Sequence, residues 1–168
     1  MAPAARKRLS LDANILFDLA ENLDAAHDFR EVFQRLGYGL FVGPTVIQEL
    51  HYFHEHGPDT EKSLATEALT NMLSWGIAPF DLKSVGHGLT ELFAKRLIDR
   101  GLLPEGEIND GLILAETSLA GIPMLVTCDN HLLKIDRDQL AIQFNDADLF
   151  PVVALHPKAL LKAVANRP

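Results

Sequence analysis

The chain has 168 residues, 48% of them hydrophobic, with 11 glycines and 9 prolines. This is long enough to bury one sizeable core, so one domain over residues 1–168 is expected and a low-complexity chain is excluded. A formal charge of −8, from 15 basic and 23 acidic residues, weighs against a protein that grips polyanions by bulk positive charge.

Residues 1–7 read as a flexible lead-in whose Arg6-Lys7-Arg8 run is a solvated terminus. Arg8 to Leu11 reads as a short buried strand that stops at Asp12. Ala13 to Asn22 follows with Ile15, Leu16, Leu19 and Leu23 at helical spacing. Phe29, Val32, Phe33 and Leu36 form a second stripe, closed by Gly37. Leu40 to Val42 is a second strand, broken by Gly43-Pro44. Thr45-Val46-Ile47-Gln48 fits a capping box for a helix that carries Glu49 and runs to about His56. His51, His54 and His56 in that helix read as a solvated end rather than a metal site, because no fourth ligand is apparent.

Asp59 to Trp75 reads as a helix, with Leu64, Ala68, Met72 and Trp75 on one face. Ile77 to Phe80 reads as a third strand. Val85 to Arg100 is helical, with Leu89, Leu92, Phe93, Leu97 and Ile98 inward and Lys95, Arg96 and Arg100 on a polar face. Glu107 to Ala120 is the clearest helix, with Ile108, Leu112, Ala115 and Leu119 in register and Gly121 capping it. Pro123 to Cys128 is an apolar strand followed by Asp129. Asp136 to Asp148 shows no clear pattern. Leu149 to Leu155 contains a last strand, Pro157 starts a terminal helix, and 164–168 is a tail.

Apolar strands alternate with helices, and the strands do not themselves alternate polar and apolar. That pattern predicts a three-layer α/β/α sandwich around a short, mostly parallel central sheet. No apolar run reaches the roughly 18 residues of a membrane span, and the N-terminus lacks a signal-peptide core, so a soluble cytoplasmic protein is expected. The single cysteine, Cys128, excludes an intrachain disulfide and a zinc cluster of thiolates.

In parallel sheets of this kind ligands sit beyond the carboxyl ends of the strands. Asp12 and Asp129 each follow a strand. Glu49 and Asp110 are expected in the first turns of helices that start near that edge, and Glu107, three residues before Asp110, can share its helix face. Each has a simpler reading as a turn former, a helix cap or a solvated residue. Together they crowd negative charge, which must be relieved by protons or a cation. Carboxylates suit Mg²⁺ or Mn²⁺, which lower the pKa of a bound water and support in-line displacement at phosphorus. Two such ions would bring the charge from −8 to about −4.

The same segments resemble the motifs of PIN domains in order: Leu11-Asp12-Ala13-Asn14-Ile15-Leu16, Val46-Ile47-Gln48-Glu49-Leu50, Asn109-Asp110-Gly111-Leu112-Ile113-Leu114-Ala115 and Leu125-Val126-Thr127-Cys128-Asp129, with Val152-Val153 and His156-Pro157 at the closing strand and helix. The resemblance implies a metal-dependent ribonuclease similar to the VapC-type toxins of bacteria and archaea. It implies Asp12, Glu49, Asp110 and Asp129 as the catalytic, metal-holding set, with Asn14 and Thr127 bracing the site and Glu107 as an extra carboxylate. It further implies an RNA substrate, a small antitoxin whose Arg pairs with the carboxylates, and a homodimer. Cys128 stands where many relatives carry Arg, which removes one phosphate contact. Two other readings compete. A catalytically inactive PIN-like module would bind RNA or protein without turnover. Phosphoryl transfer through Asp12 ranks lower, because the haloacid-dehalogenase type needs a second Asp two residues on, where this chain has Asn14.

Overall fold

The computed structural model describes residues 7–166. Its elements run β1 (Arg8–Leu11), α1 (Ala13–Ala20), α2 (Asp24–Arg35), β2 (Gly39–Val42), α3 (Pro44–His56), α4 (Asp59–Asn71), β3 (Ile77–Pro79), α5 (Ser84–Asp99), α6 (Ile108–Leu119), β4 (Met124–Val126), α7 (Asn130–Leu133), α8 (Arg137–Asp146), β5 (Val153–Leu155) and α9 (Pro157–Ala165). The five strands form one sheet in the order β3-β2-β1-β4-β5, and every neighbouring pair is parallel.

Successive residues of a strand face opposite sides of a sheet. Leu9, Ser10 and Leu11 of β1 are all buried, so helices cover both faces of the central strand, as the unalternated apolar strands predict. The sequence order of strands reverses between β1 and β4, whose register pairs Ser10 with Leu125 and Leu11 with Val126. This opens a crevice at the carboxyl ends of those two strands, and Asp12 and Asp129 stand there.

Helix α6 is the internal helix of the fold. Asp110, Gly111, Ile113, Leu114, Ala115, Glu116, Thr117 and Ser118 are all buried, so the expected single stripe of Ile108, Leu112, Ala115 and Leu119 is replaced by burial around most of the circumference. Thr117 lies over β1, and its hydroxyl donates to Ser10 Oγ at 3.1 Å. At Gly111 a Cβ would stand 2.8 Å from the Ala94 backbone; only glycine lets α5 cross this close. That crossing turns Phe93, Ala94 and Leu97 inward and leaves Leu89 and Leu92 exposed, contrary to the inward placement expected for both.

Arg8 begins β1 as expected, but its guanidinium is tied down rather than solvated: Nη1 and Nη2 donate to the carbonyls of Ala120 and Gly121 at 3.0 and 3.1 Å. It thereby satisfies the carboxyl end of α6, which Gly121 closes at φ 71°. The Lys7 carbonyl accepts from Gly39 N at 2.8 Å, so Lys7 extends the start of the central strand beside β2; Arg6 and residues 167–168 lie outside the described residues. The unpatterned stretch from Asp136 folds as α8, capped by the Asp136 carboxylate, which accepts from Gln139 N. Among the described residues no helix is long and apolar enough to cross a membrane.

Candidate metal centre at the strand ends

Asp12 leaves β1 and caps α1. Its Oδ1 accepts from Ala13 N at 2.7 Å. Its Oδ2 accepts from the Thr127 hydroxyl at 2.7 Å and from Asn14 Nδ2 at 3.1 Å. The capping role and the placement at the sheet edge therefore coexist in one residue. The carboxyl is almost fully buried, and burial pushes its pKa up against the bonds from Thr127 and Ala13, with the charge of Asp129 adding to the rise.

Thr127 and Asn14 tie the two strand ends together. The fully buried Thr127 hydroxyl gives its proton to Asp12 and accepts from Asn14 Nδ2 at 3.2 Å and from Asp129 N at 2.9 Å. Asn14 Oδ1 accepts from Cys128 N at 3.0 Å. One short network thus holds the backbone after β4 at a set distance from Asp12. The Cys128 side chain turns elsewhere, toward Asp18 Oδ2 at 3.8 Å, and burial pushes its thiol up to about 11.

Asp110 stands in the first turn of α6, as expected, and is 6% exposed. Its Oδ2 is the one carboxylate oxygen among the described residues that is buried without a hydrogen-bond partner. Burial pushes this carboxyl up to about 8, with the charges of Asp129, Asp12, Glu107 and Glu49 adding to the rise. An ionised oxygen in this position costs several kcal/mol unless a cation or proton meets it.

Ligand atoms from Glu107, Asp110, Asp129 and His131 all lie within 4.8 Å of one another. Glu107 precedes α6 as its N-cap residue rather than sharing a helix face with Asp110. Asp129 caps α7 through Oδ1, which accepts from His131 N at 2.8 Å. The His131 ring faces Glu107 Oε1 at 3.5 Å and Asp129 Oδ1 at 3.6 Å. Sequence reasoning did not single out His131; its only signal was its place two residues after a strand-end aspartate.

Asp12 and Glu49 are outside that set, although both raise the pKa of Asp110. Glu49 is in the second turn of α3, not the first, because the helix starts at Pro44 with Gly43 as N-cap. The capping box is therefore absent: Thr45 is already helical. Its amide and hydroxyl both donate to the buried Glu116 of α6, at 3.0 and 2.7 Å. Glu49 accepts from Asn109 Nδ2 at 3.1 Å, and burial pushes it up to about 7, with the charge of Asp12 adding to the rise.

The three histidines of α3 do not converge. His54 Nδ1 meets Thr66 Oγ1 at 2.7 Å, His56 lies 3.7 Å from Glu55, and His51 is exposed.

No protein-family model matches this sequence, and no curated protein matches it closely enough to count as a relative. Solved structures do match. A VapBC2 assembly from Rickettsia felis, bound to a DNA fragment from its promoter, superposes with a TM-score of 0.61 at 17% identity, over 89% of this chain and 98% of that one. VapBC-1 from nontypeable Haemophilus influenzae gives 0.55 at 14% identity, over 90% and 98%. The five-stranded parallel sheet and its flanking helices are those of the PIN-domain fold. Within that class, the likeness is to the VapC chains of these assemblies.

Proposed function

We propose that this protein is a metal-dependent endoribonuclease and the toxin of a toxin–antitoxin pair. The observation that carries the reading is the buried, unpartnered Oδ2 of Asp110 at the meeting point of Glu107, Asp129 and His131. The donor set fits a hard divalent ion: three carboxylates, with Asp12 and Glu49 close enough to add negative charge. Mg²⁺ or Mn²⁺ suits such oxygen ligands. When bound, the ion supplies Lewis acidity toward water and neutralises charge on the phosphate.

The chain's own residues supply the rest. Asp110, Asp129 and Glu107 hold the ion, and Asp12 and Glu49 complete the acidic wall. Thr127 and Asn14 keep Asp12 and the backbone of Asp129 in register. Glu49, with its pKa pushed up to about 7, is suited to hold or release a proton near neutrality. His131, half exposed at the rim, sets its ring 3.5 Å from Glu107 Oε1 and 3.6 Å from Asp129 Oδ1.

A small antitoxin partner is part of the same reading, supported by the fold shared with VapBC assemblies. A guanidinium from such a partner would meet the acidic wall by charge-assisted pairing. We propose further that the protein is soluble and cytoplasmic and forms a homodimer.

The test is cleavage of single-stranded RNA with Mg²⁺ or Mn²⁺, beside EDTA and the Asp110→Asn variant. Cleavage should require the ion and fall by at least a hundredfold in the variant (about 2.7 kcal/mol of barrier). RNA bound without turnover would leave the inactive-module reading in its place.

A further inference from the structure

A shallow groove runs from the acidic site along α3, lined by Thr45, Gln48, Glu49, Tyr52, Phe53 and Asn109. Tyr52 is 60% exposed, one turn beyond Glu49. Its ring is nonetheless braced. It packs edge-on against Phe53, with centroids 5.7 Å apart, and lies tilted against His56 at 5.4 Å. Phe53 in turn meets Phe17 of α1 edge-on at 5.6 Å. An exposed aromatic ring held by a chain of rings reaching back into α1 is a preorganised flat surface.

The groove's chemistry narrows what lies on that surface. Among the described residues its lining contains no Lys or Arg and includes the Glu49 carboxylate, so a phosphate backbone finds no cation among them. What remains is one open ring and the side-chain amides of Gln48 and Asn109, groups that stack on a base and bond its edge. A base in a duplex is stacked and paired already; only an unpaired base can turn into this groove.

The geometry points to Tyr52 as a stacking platform for one unpaired base of a single-stranded RNA substrate, next to the acidic site. The inference rests on the nuclease reading for its substrate, and it adds that recognition beside the cut runs through a base rather than through phosphate.

The test uses the full chain and an RNA oligonucleotide carrying 2-aminopurine, whose fluorescence falls when it stacks. Stopped-flow mixing in Mn²⁺ should show a quench phase that precedes cleavage for the single strand and is missing for the same oligonucleotide in a duplex. Tyr52→Ala should abolish the quench and raise KM about tenfold with kcat within about twofold. That change equals about 1.4 kcal/mol of binding, within the range for one stacked base. Tyr52→Phe should restore both. A quench that persists and depends on Tyr52, without cleavage, sinks the nuclease reading while supporting the platform. Cleavage intact in Tyr52→Ala, with unchanged KM and unchanged quench, overturns the platform.

Discussion

The Thr127 hydroxyl is shared by Asp12, Asn14 and the Asp129 amide, so its loss leaves the Asp129 amide without its partner and Asp12 Oδ2 and Asn14 Nδ2 with only each other. Thr127→Val keeps the shape and removes the oxygen. It should cost on the order of 1–3 kcal/mol in urea denaturation and lower cleavage in parallel, whereas Thr127→Ser should recover most of both. Asp110 makes the complementary prediction for pH. Its folded pKa is pushed up to about 8, above the ordinary aspartate value of 3.8. The folded state thus holds a proton through a range where the unfolded chain has released it. Metal-free stability from this group is full below about pH 4 and is lost as pH rises through about 8. Asp110→Asn cannot titrate, so its stability relative to wild type should climb over that window, by no more than about 1.4 kcal/mol per pH unit. Thermal melts in EDTA at pH 5 and pH 8 check the sign; a constant difference contradicts it.

At the scale of elements, α3 is held at its start by a foreign carboxylate. Glu116 of α6 takes both the amide and the hydroxyl of Thr45, standing in for a local cap. Glu116→Ala should cost on the order of 1–3 kcal/mol by leaving those donors unpaired. Because Glu49 rides on α3, it should also lower kcat more than Tyr52→Ala does. Glu116→Gln, which keeps one acceptor, should be milder on both counts. This element also shows where the sequence could be read and where it could not. The strands were legible because apolar runs ending at Asp12 and Asp129 leave little choice of edge, and Asp110 was legible from its position at the start of a strongly apolar helix. Thr45 and Gln48 imitate a capping box, but Pro44 is pre-set for the first helical position and moves the start two residues earlier, with Gly43 as N-cap. The role of Glu116 is not legible in the sequence because its partner lies 71 residues away. The outward turn of Leu89 and Leu92 is set by the Gly111–Ala94 approach between two helices, a fact that periodicity within α5 does not contain. His131 sits in a four-residue helix too short to show a pattern.

For the whole molecule, the strand order places β1 and β4 side by side and so brings residues 117 positions apart, Asp12 and Asp129, to one crevice. The fold concentrates negative charge there in a chain already at −8, and a divalent cation is the economical relief. The most direct measurement is calorimetric titration of Mn²⁺ into the metal-stripped protein at pH 7.5, beside Asp110→Asn with its fold verified by circular dichroism. The account predicts saturable binding by the wild type with release of protons, and at least tenfold weaker binding by the variant. Equal affinity in the two proteins, or no saturable binding by the wild type, would contradict it.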